Sequence, residues 1–275
     1  MVNRISILGC GWLGFPLAKQ LLKEGYSVKG STTTPEKVER LNEAGIEGSL
    51  LKLEPGFTAL DPAFLETDCL LVNIPPGRGR DNVASYHLQQ FSHLTEAVQR
   101  AGIKKVIMIS ATSVYPSGDG HYDEKVKGTP ARPSGEALLQ AEDLIRNTVE
   151  HSIIIRFCGL FGGERHPARF LSGKKLEQHS SNPVNMIHLE DCINIIAEAV
   201  KQQAWGETFN ACAPRHPERI EFYEAACGEL ELPLPQFNDE LSPVNRTINS
   251  AKLVQQLNYE FIYPDPVKAF RNAQS

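Results

Sequence analysis

Six residues near the start of the chain, Gly9-Cys10-Gly11-Trp12-Leu13-Gly14, carry glycine at the first, third and sixth places. That spacing suits backbone that turns sharply and then opens a helix, leaving main-chain N–H groups and the positive end of the helix dipole facing outward. The first glycine permits the turn, the second lets a phosphate approach the backbone, and the third lets the helix pack close to the strand before it. An apolar run, Arg4–Leu8, precedes the loop, and Leu13, Leu17 and Leu21 follow at helical spacing. Strand, glycine loop and helix in that order are the context in which such a run grips a pyrophosphate. The plain alternative is a glycine-rich turn with no ligand.

A dinucleotide also needs a residue at its ribose, about twenty positions beyond the loop, where NAD binders carry a carboxylate. Here the chain reads Gly30-Ser31-Thr32-Thr33-Thr34, with no acid before Glu36. A carboxylate would repel a 2′-phosphate, whereas Ser31, Thr32, Thr33 and backbone donors can accept one, and Lys37 can add charge. NADP(H) is therefore expected in preference to NAD(H), although no arginine stands at this position. A Ser/Thr turn leading into Pro35 accounts for the same residues without a ligand and is compatible with either cofactor.

The elements that must hold these residues can be read from periodicity. Residues 4–8, 26–31, 49–53, 69–74, 106–110 and 153–157 are short β-rich runs; 12–24, 35–44, 82–101 and 135–149 have helical spacing. Strands separated by helical crossovers predict an α/β fold, a doubly wound, mostly parallel Rossmann sheet. Ligands in such sheets sit beyond the carboxyl ends of the strands. Two such ends are Asn73-Ile74-Pro75-Pro76-Gly77 and Ser110-Ala111-Thr112-Ser113-Val114-Tyr115. Ile74, Pro75 and Pro76 form a rigid turn able to line a dinucleotide, and the hydroxyls of the second segment suit nicotinamide, ribose or substrate. Turn chemistry explains some of those hydroxyls equally well.

After Gly159 the rhythm changes. A helix over 189–203 and a strand over 207–211 still fit the sheet, whereas 162–181 and 214–243 are rich in Pro, Gly and charge and read as a looser lobe. The expected division is a dinucleotide-binding domain over 1–161, with 184–211 returning to it, and a discontinuous small-molecule substrate lobe within 162–275. Arg165-His166-Pro167-Ala168-Arg169 places two guanidinium groups and an imidazole within five residues, able to clamp a carboxylate or phosphate. A solvated basic loop followed by Lys174-Lys175 is the alternative. His188 and Asp191 lack a third ligand at useful spacing, so no metal is expected; a capping or core histidine is favoured, with Glu190 and Asp191 at the positive end of a helix.

Composition bounds the rest. A chain of 275 residues, 41% hydrophobic, with a formal charge of −5, has no electrostatic footprint for nucleic acid. Six cysteines without a C-x-x-C pair read as reduced thiols, with neither a signal peptide nor a membrane-length apolar run. A cytoplasmic monomer or homodimer with no membrane or nucleic-acid partner is the expectation.

Several motifs also occur in a familiar order: Ile107-Met-Ile-Ser-Ala-Thr-Ser-Val-Tyr115, Tyr122-Asp-Glu124, Arg156-Phe-Cys-Gly-Leu-Phe-Gly162 and Val184-Asn-Met-Ile-His188. Their order resembles that of the extended short-chain dehydrogenases/reductases, the NAD-dependent epimerase/dehydratase family. Gly11-Trp-Leu-Gly14, Glu54-Pro55, Arg165–Phe170, His188-Leu-Glu-Asp191 and Tyr263-Pro-Asp-Pro266 are similar to atypical bacterial members of it. The resemblance implies a Rossmann domain with a small C-terminal substrate lobe. It places Cys158 at the nicotinamide face, unless that thiol is merely buried, and Asn185 among the substrate contacts with Arg165, His166 and Arg169.

The same resemblance exposes a gap. Active relatives use Tyr-x-x-x-Lys on a helix, one turn apart, with a Ser or Thr after the fifth strand; the lysine lowers the phenol pKa so that tyrosine can move a proton. In this register the three positions hold Ser134, Leu138 and Ala111. Ser134 reads better as a helix N-cap and Leu138 as core. Thr112, beside the vacated position, and Tyr115 are the substitute catalytic candidates. Two readings result. One is an oxidoreductase or epimerase-like enzyme with a nonstandard acid/base, acting on a small anionic or sugar-like substrate. The other is a noncatalytic NADP(H)-binding sensor or partner-binding module. A nucleotide-sugar dehydratase is disfavoured, because that chemistry leans on the missing tyrosine.

Overall fold

The computed structural model describes residues 2–54, 60–77 and 81–270; Pro55 of the Glu54-Pro55 motif lies outside them. The chain forms two compact units, the first from residues up to Tyr115 with Thr129–Arg156 and Ile196–Phe209, the second from Pro116–Gly128, Phe157–Ile195 and residues from Asn210 onward.

In the first unit β1 (Arg4–Leu8) leads through the glycine loop into α1 (Gly14–Lys23), then β2 (Ser27–Thr32), α2 (Glu36–Glu43) and β3 (Glu47–Leu50). A short α3 (Pro62–Leu65), capped by the Asp61 side chain, precedes β4 (Cys69–Val72). Then come α4 (Val83–Arg100), β5 (Lys105–Ala111) and a 3-10 turn over Thr112–Val114. After β6 (Gly120–Tyr122), described with the second unit, α5 (Pro133–Thr148) and β7 (His151–Phe157) follow. The seven-stranded sheet has the order β10-β7-β5-β4-β1-β2-β3, where β10 is Thr208–Ala211. Pairings from β3 across to β5 are parallel. Both faces must then be covered, and β4 is buried along its whole length. The chain leaves β1 in one direction along the sheet and resumes at β4 in the other. The glycine loop therefore stands at the switch point, where such sheets bind ligands.

The second unit holds two small parallel sheets. One pairs β6 with β11 (Arg246–Ile248); the other pairs β8 (Gly159–Phe161) with β9 (Met186–His188). Helices α6 (Pro167–Leu171), α8 (Arg219–Glu229) and α9 (Ala251–Leu257) complete it, while α7 (Leu189–Lys201) follows β9 directly. Its core gathers Phe161, Val184, Phe222, Cys227 and Phe270. Phe161 and Phe222 meet edge to face at 5.8 Å, the geometry that ring quadrupoles favour.

Several boundaries depart from the sequence reading. The third strand is Glu47–Leu50, not 49–53, because an edge strand is fixed by its one ladder, here Lys29 opposite Glu47 through Thr32 opposite Leu50. Ser134 is not an N-cap: α5 begins one residue earlier, at Pro133, with Arg132 as the capping residue and no side-chain cap. Proline suits a first helical position, where no N–H is needed. The loose segment 214–243 contains α8, whose Phe222, Tyr223, Ala226 and Cys227 form a buried face. Residues 116–128, placed by sequence in the first domain, join the second unit because β6 pairs with β11.

Candidate dinucleotide-binding site

The three loop glycines answer to different constraints. Gly9 has φ +107° and a Cβ there would lie 2.5 Å from the Asn73 carbonyl oxygen; a Cβ on Gly14 would lie 2.3 Å from the Gly9 oxygen. The protein's own packing therefore demands both. Around Gly11, by contrast, a Cβ would meet nothing within 4 Å. Space is open at the one glycine whose expected purpose is a ligand's close approach. Leu13, the N-cap of α1, supplies no side-chain cap, so no side chain of that residue competes for the first-turn amides.

Neighbouring strands brace the loop. Asn73, just past β4, donates from its backbone to the Leu8 oxygen at 2.9 Å and from Nδ2 to the Gly9 oxygen at 3.0 Å. Ser31 Oγ accepts from the Gly9 amide at 2.9 Å, while the Cys10 amide donates to the Ser31 oxygen at 2.7 Å. Ser31 is thus a buried strut of the loop. The Cys10 thiol turns inward toward the Ile7 oxygen, and burial pushes its pKa up to about 12. Thr32 Oγ1 accepts from the Thr34 amide at 3.2 Å, whereas Thr33 and Lys37 are exposed beyond the strand end. Trp12, Ile74 and Pro76 are partly exposed, Leu13 is buried, and Pro75 lies open.

The end of β5 differs from expectation. Ser110 does not present its hydroxyl outward; it donates to Glu142 Oε1 at 2.6 Å. Glu142, fully buried on α5, also accepts from Arg156 Nε at 2.9 Å, from Arg156 Nη2 at 2.6 Å and from Arg146 Nη2 at 2.7 Å. Arg156 in turn donates from Nη1 to the Tyr115 hydroxyl at 2.9 Å. Burial alone would lower the Arg156 pKa, but hydrogen bonding and attraction to Glu142 more than reverse that and hold it above its ordinary value. Tyr115 is only 3% exposed. Its phenol belongs to an interior network, because a buried guanidinium requires acceptors on every side. Thr112, 8% exposed, and the half-buried Ala111 remain at the strand end. Gly135, at the start of α5, packs so tightly on this turn that a Cβ would lie 2.1 Å from the Ser113 oxygen.

The second unit carries the substrate candidates. His166 Nε2 lies 3.0 Å from Glu229 Oε2 and its ring 5.4 Å from that of Phe270, so it braces the lobe's core. Arg169 is exposed, and Arg165 closes a tight turn by backbone bonds to Gly162. Pro167 starts α6 and leaves His166 outside it as the capping residue. Asn185 uses both ends of its amide to bind backbone, donating to the Arg246 oxygen and accepting from the Ile248 amide, each at 2.9 Å. Cys158 is buried beside Cys212, whose thiol pKa is raised first by burial and next by the Cys158 thiol. His188 Nδ1 accepts from the Glu190 amide at 3.3 Å, its ring lies 3.9 Å from that of Tyr263, and burial holds its pKa below the usual value. Asp191, rather than merely facing a helix dipole, is fully buried and accepts from the Tyr259 hydroxyl and the Ile262 amide at 2.8 Å and the Tyr263 amide at 3.0 Å. Among the described residues no group of three His, Cys, Asp or Glu is placed to hold a metal, and no helix is long and apolar enough to cross a membrane.

The sequence does not announce the bracing of the loop by Asn73 or the pairing of Glu142 with Arg156. Glu142 and Arg156 did carry a signal: each is a charge inside an apolar face or run, Ala141-Glu142 with Ile145 and Ile153–Phe157. Charges so placed are paired.

The sheet order, the glycine loop at its switch point and the open ground over Gly11 define a dinucleotide-binding Rossmann protein, and the chain belongs to the NAD(P)H-binding family, whose profile matches residues 9–203. More particularly, it is 35% identical over 272 residues to Protein YeeZ of Escherichia coli K12, covering 97% of this chain and 98% of that one. Its fold is that of the NAD-dependent epimerases. UDP-glucuronic acid 4-epimerase from Bacillus cereus, solved with NAD, superposes with a TM-score of 0.79 at 19% identity, over 99% of this chain and 100% of that one. A short-chain dehydrogenase/reductase superfamily protein from Agrobacterium tumefaciens with bound NAD gives 0.77 at 16% identity, over 98% of each chain.

Proposed function

We propose that this protein binds NADP(H) through the Gly9–Gly14 loop and works as a nonstandard oxidoreductase or epimerase-like enzyme on a small anionic or sugar-like compound. The observation that carries the reading is the contrast among the glycines. Packing accounts for Gly9 and Gly14, but among the described residues no atom requires Gly11 to lack a side chain. A ligand's phosphates account for it. A bound nicotinamide would supply hydride exchange with the substrate. Thr112, next in the chain to the vacated Ser/Thr position at Ala111, is then the candidate hydroxyl for the chemistry.

Calorimetric titration of wild type and Gly11→Val with NADPH tests the binding claim. The variant is expected to melt like wild type and to lose at least tenfold in affinity. Equal affinity would refute the reading. Turnover is tested by following NADPH absorbance with carbonyl and nucleotide-sugar panels, with Thr112→Val as the control; unchanged turnover in that variant removes Thr112 from the chemistry.

Two observations favour a second reading, a noncatalytic NADP(H)-responsive module. Leu138 is buried where relatives carry lysine, and the Tyr115 phenol is engaged by Arg156. NADPH-dependent capture of a partner, together with no hydride transfer on any panel, supports that reading over the enzyme.

A further inference from the structure

Arg219, the first residue of α8, is partly buried, and its Nε is sealed from solvent without a hydrogen-bond partner. Among the described residues no carboxylate pairs with its guanidinium. Glu221, two residues on, is taken by Arg215, whose Nη2 donates to its oxygens at 2.6 and 2.7 Å. The first amides of the helix are taken as well, Arg219 donating to the Asn182 oxygen and Ile220 to the Ser180 oxygen, each at 2.9 Å. Arg156 makes the contrast. There burial is outweighed by hydrogen bonding and attraction to Glu142, whereas at Arg219 burial prevails and lowers the pKa, opposed only by the Tyr223 phenol. A cation withdrawn from water and left uncompensated costs stability, which an anion from outside the chain would restore.

Tyr223 stands one turn further along α8, and helical side chains lean toward the N-terminus, so its phenol lies over Arg219. Tyr223 is buried, with its ring edge to face against Phe222 at 5.3 Å. Burial raises its pKa, and the Arg219 charge is the first influence to lower it, so the two groups face each other. Among the described residues neither the guanidinium nor the phenol hydroxyl hydrogen-bonds to any acceptor. Two donors thus converge on one place with nothing of the protein's own to receive them.

We propose that Arg219 and Tyr223 hold an oxyanion, a phosphate or a carboxylate group, against α8 in the second unit. With Nε sealed, the two Nη groups present the fork that takes a pair of oxygens side by side, and the phenol donates to the same anion. The proposal calls on no residue of the glycine loop and stands apart from the NADP(H) reading.

The test is thermal melting of the full chain, as wild type, Arg219→Met and Tyr223→Phe, in potassium phosphate, potassium acetate and potassium chloride of equal ionic strength. Phosphate or acetate should raise the wild-type midpoint above that in chloride by about 2–4 °C, the shift that an anion at roughly five times its Kd brings to a domain of this size. Whichever of the two acts names the group. Arg219→Met keeps the stem and removes the uncompensated charge, so it should melt no lower than wild type in chloride and should lose the rise; Tyr223→Phe should keep only part of it. The rise should persist in Gly11→Val, which separates this anion from one bound at the glycine loop. No rise with either anion, a rise that Arg219→Met retains or Gly11→Val abolishes, or an Arg219→Met protein melting well below wild type in chloride overturns the site.

Discussion

Replacing Glu142 with glutamine would keep the side chain's shape and remove its charge. The carboxylate accepts five hydrogen bonds, one from Ser110, three from Arg156 through Nε and Nη2, and one from Arg146. Arg156 and Glu142 are both buried, so water cannot replace the missing partner. Breaking a buried ion pair from one side costs about 3–5 kcal/mol, most of it the penalty of the stranded charge. For a domain of this size each kcal/mol moves the melting temperature by about 2–4 °C, so a fall of roughly 6–20 °C is expected. Differential scanning calorimetry of Glu142→Gln reads it directly. The double variant Glu142→Leu with Arg156→Met removes both charges and should recover more than half of the loss, because apolar replacement of a whole buried pair is often close to neutral. A Glu142→Gln protein melting within 2–3 °C of wild type, or a double variant as damaged as the two single changes added together, would refute the account of this network.

Other outcomes follow from features already described. Gly9→Ala should cost about 1–3 kcal/mol of stability from its backbone conformation alone, with the Asn73 oxygen adding a clash; Gly11→Ala should cost less than about 1 kcal/mol, and urea unfolding separates the two. Burial holds the pKa values of His87, His188 and His216 below the ordinary value. The unfolded chain therefore takes up protons that the folded one refuses, and stability should decline as pH falls below about 6.5. Unfolding midpoints at pH 7.5 and 5.5 measure this, with His87→Leu expected to show the smaller decline. Asp191→Ala removes three hydrogen bonds that secure Tyr259, Ile262 and Tyr263, so limited proteolysis should cut near 258–264 much faster than in wild type.

Local pattern made the first βαβ unit legible. Arg4–Leu8, the glycine spacing and the Leu13, Leu17, Leu21 stripe are all set by neighbours along the chain, and β1 and α1 stand where those signals fall. The loop's bracing was not legible. Asn73 reaches Gly9 across 64 positions and Ser31 across 22, and nothing in either residue's vicinity announces its partner. The dual use of hydroxyls misled the reading in a similar way. Ser110 stands at a strand's carboxyl end, where ligands bind, yet a carboxylate 32 residues on claims its proton. The family motif around Asn185 points to substrate, whereas its amide pairs with the backbone of a strand that begins 61 residues later. The short strands β6 and β11 have three residues each, too few for alternation to register.

That last pair has a consequence for how the protein is made. Gly120 of β6 is matched to Arg246 of β11, and the Asn245 amide likewise bonds to the Asp119 side chain 126 positions earlier. At about 5–20 residues per second of synthesis, residues 120–122 would wait roughly 6–25 s after leaving the ribosome before their partner strand exists. A nascent chain halted before residue 246 would hold an orphaned strand edge, and it is there that a chaperone would have most to shield.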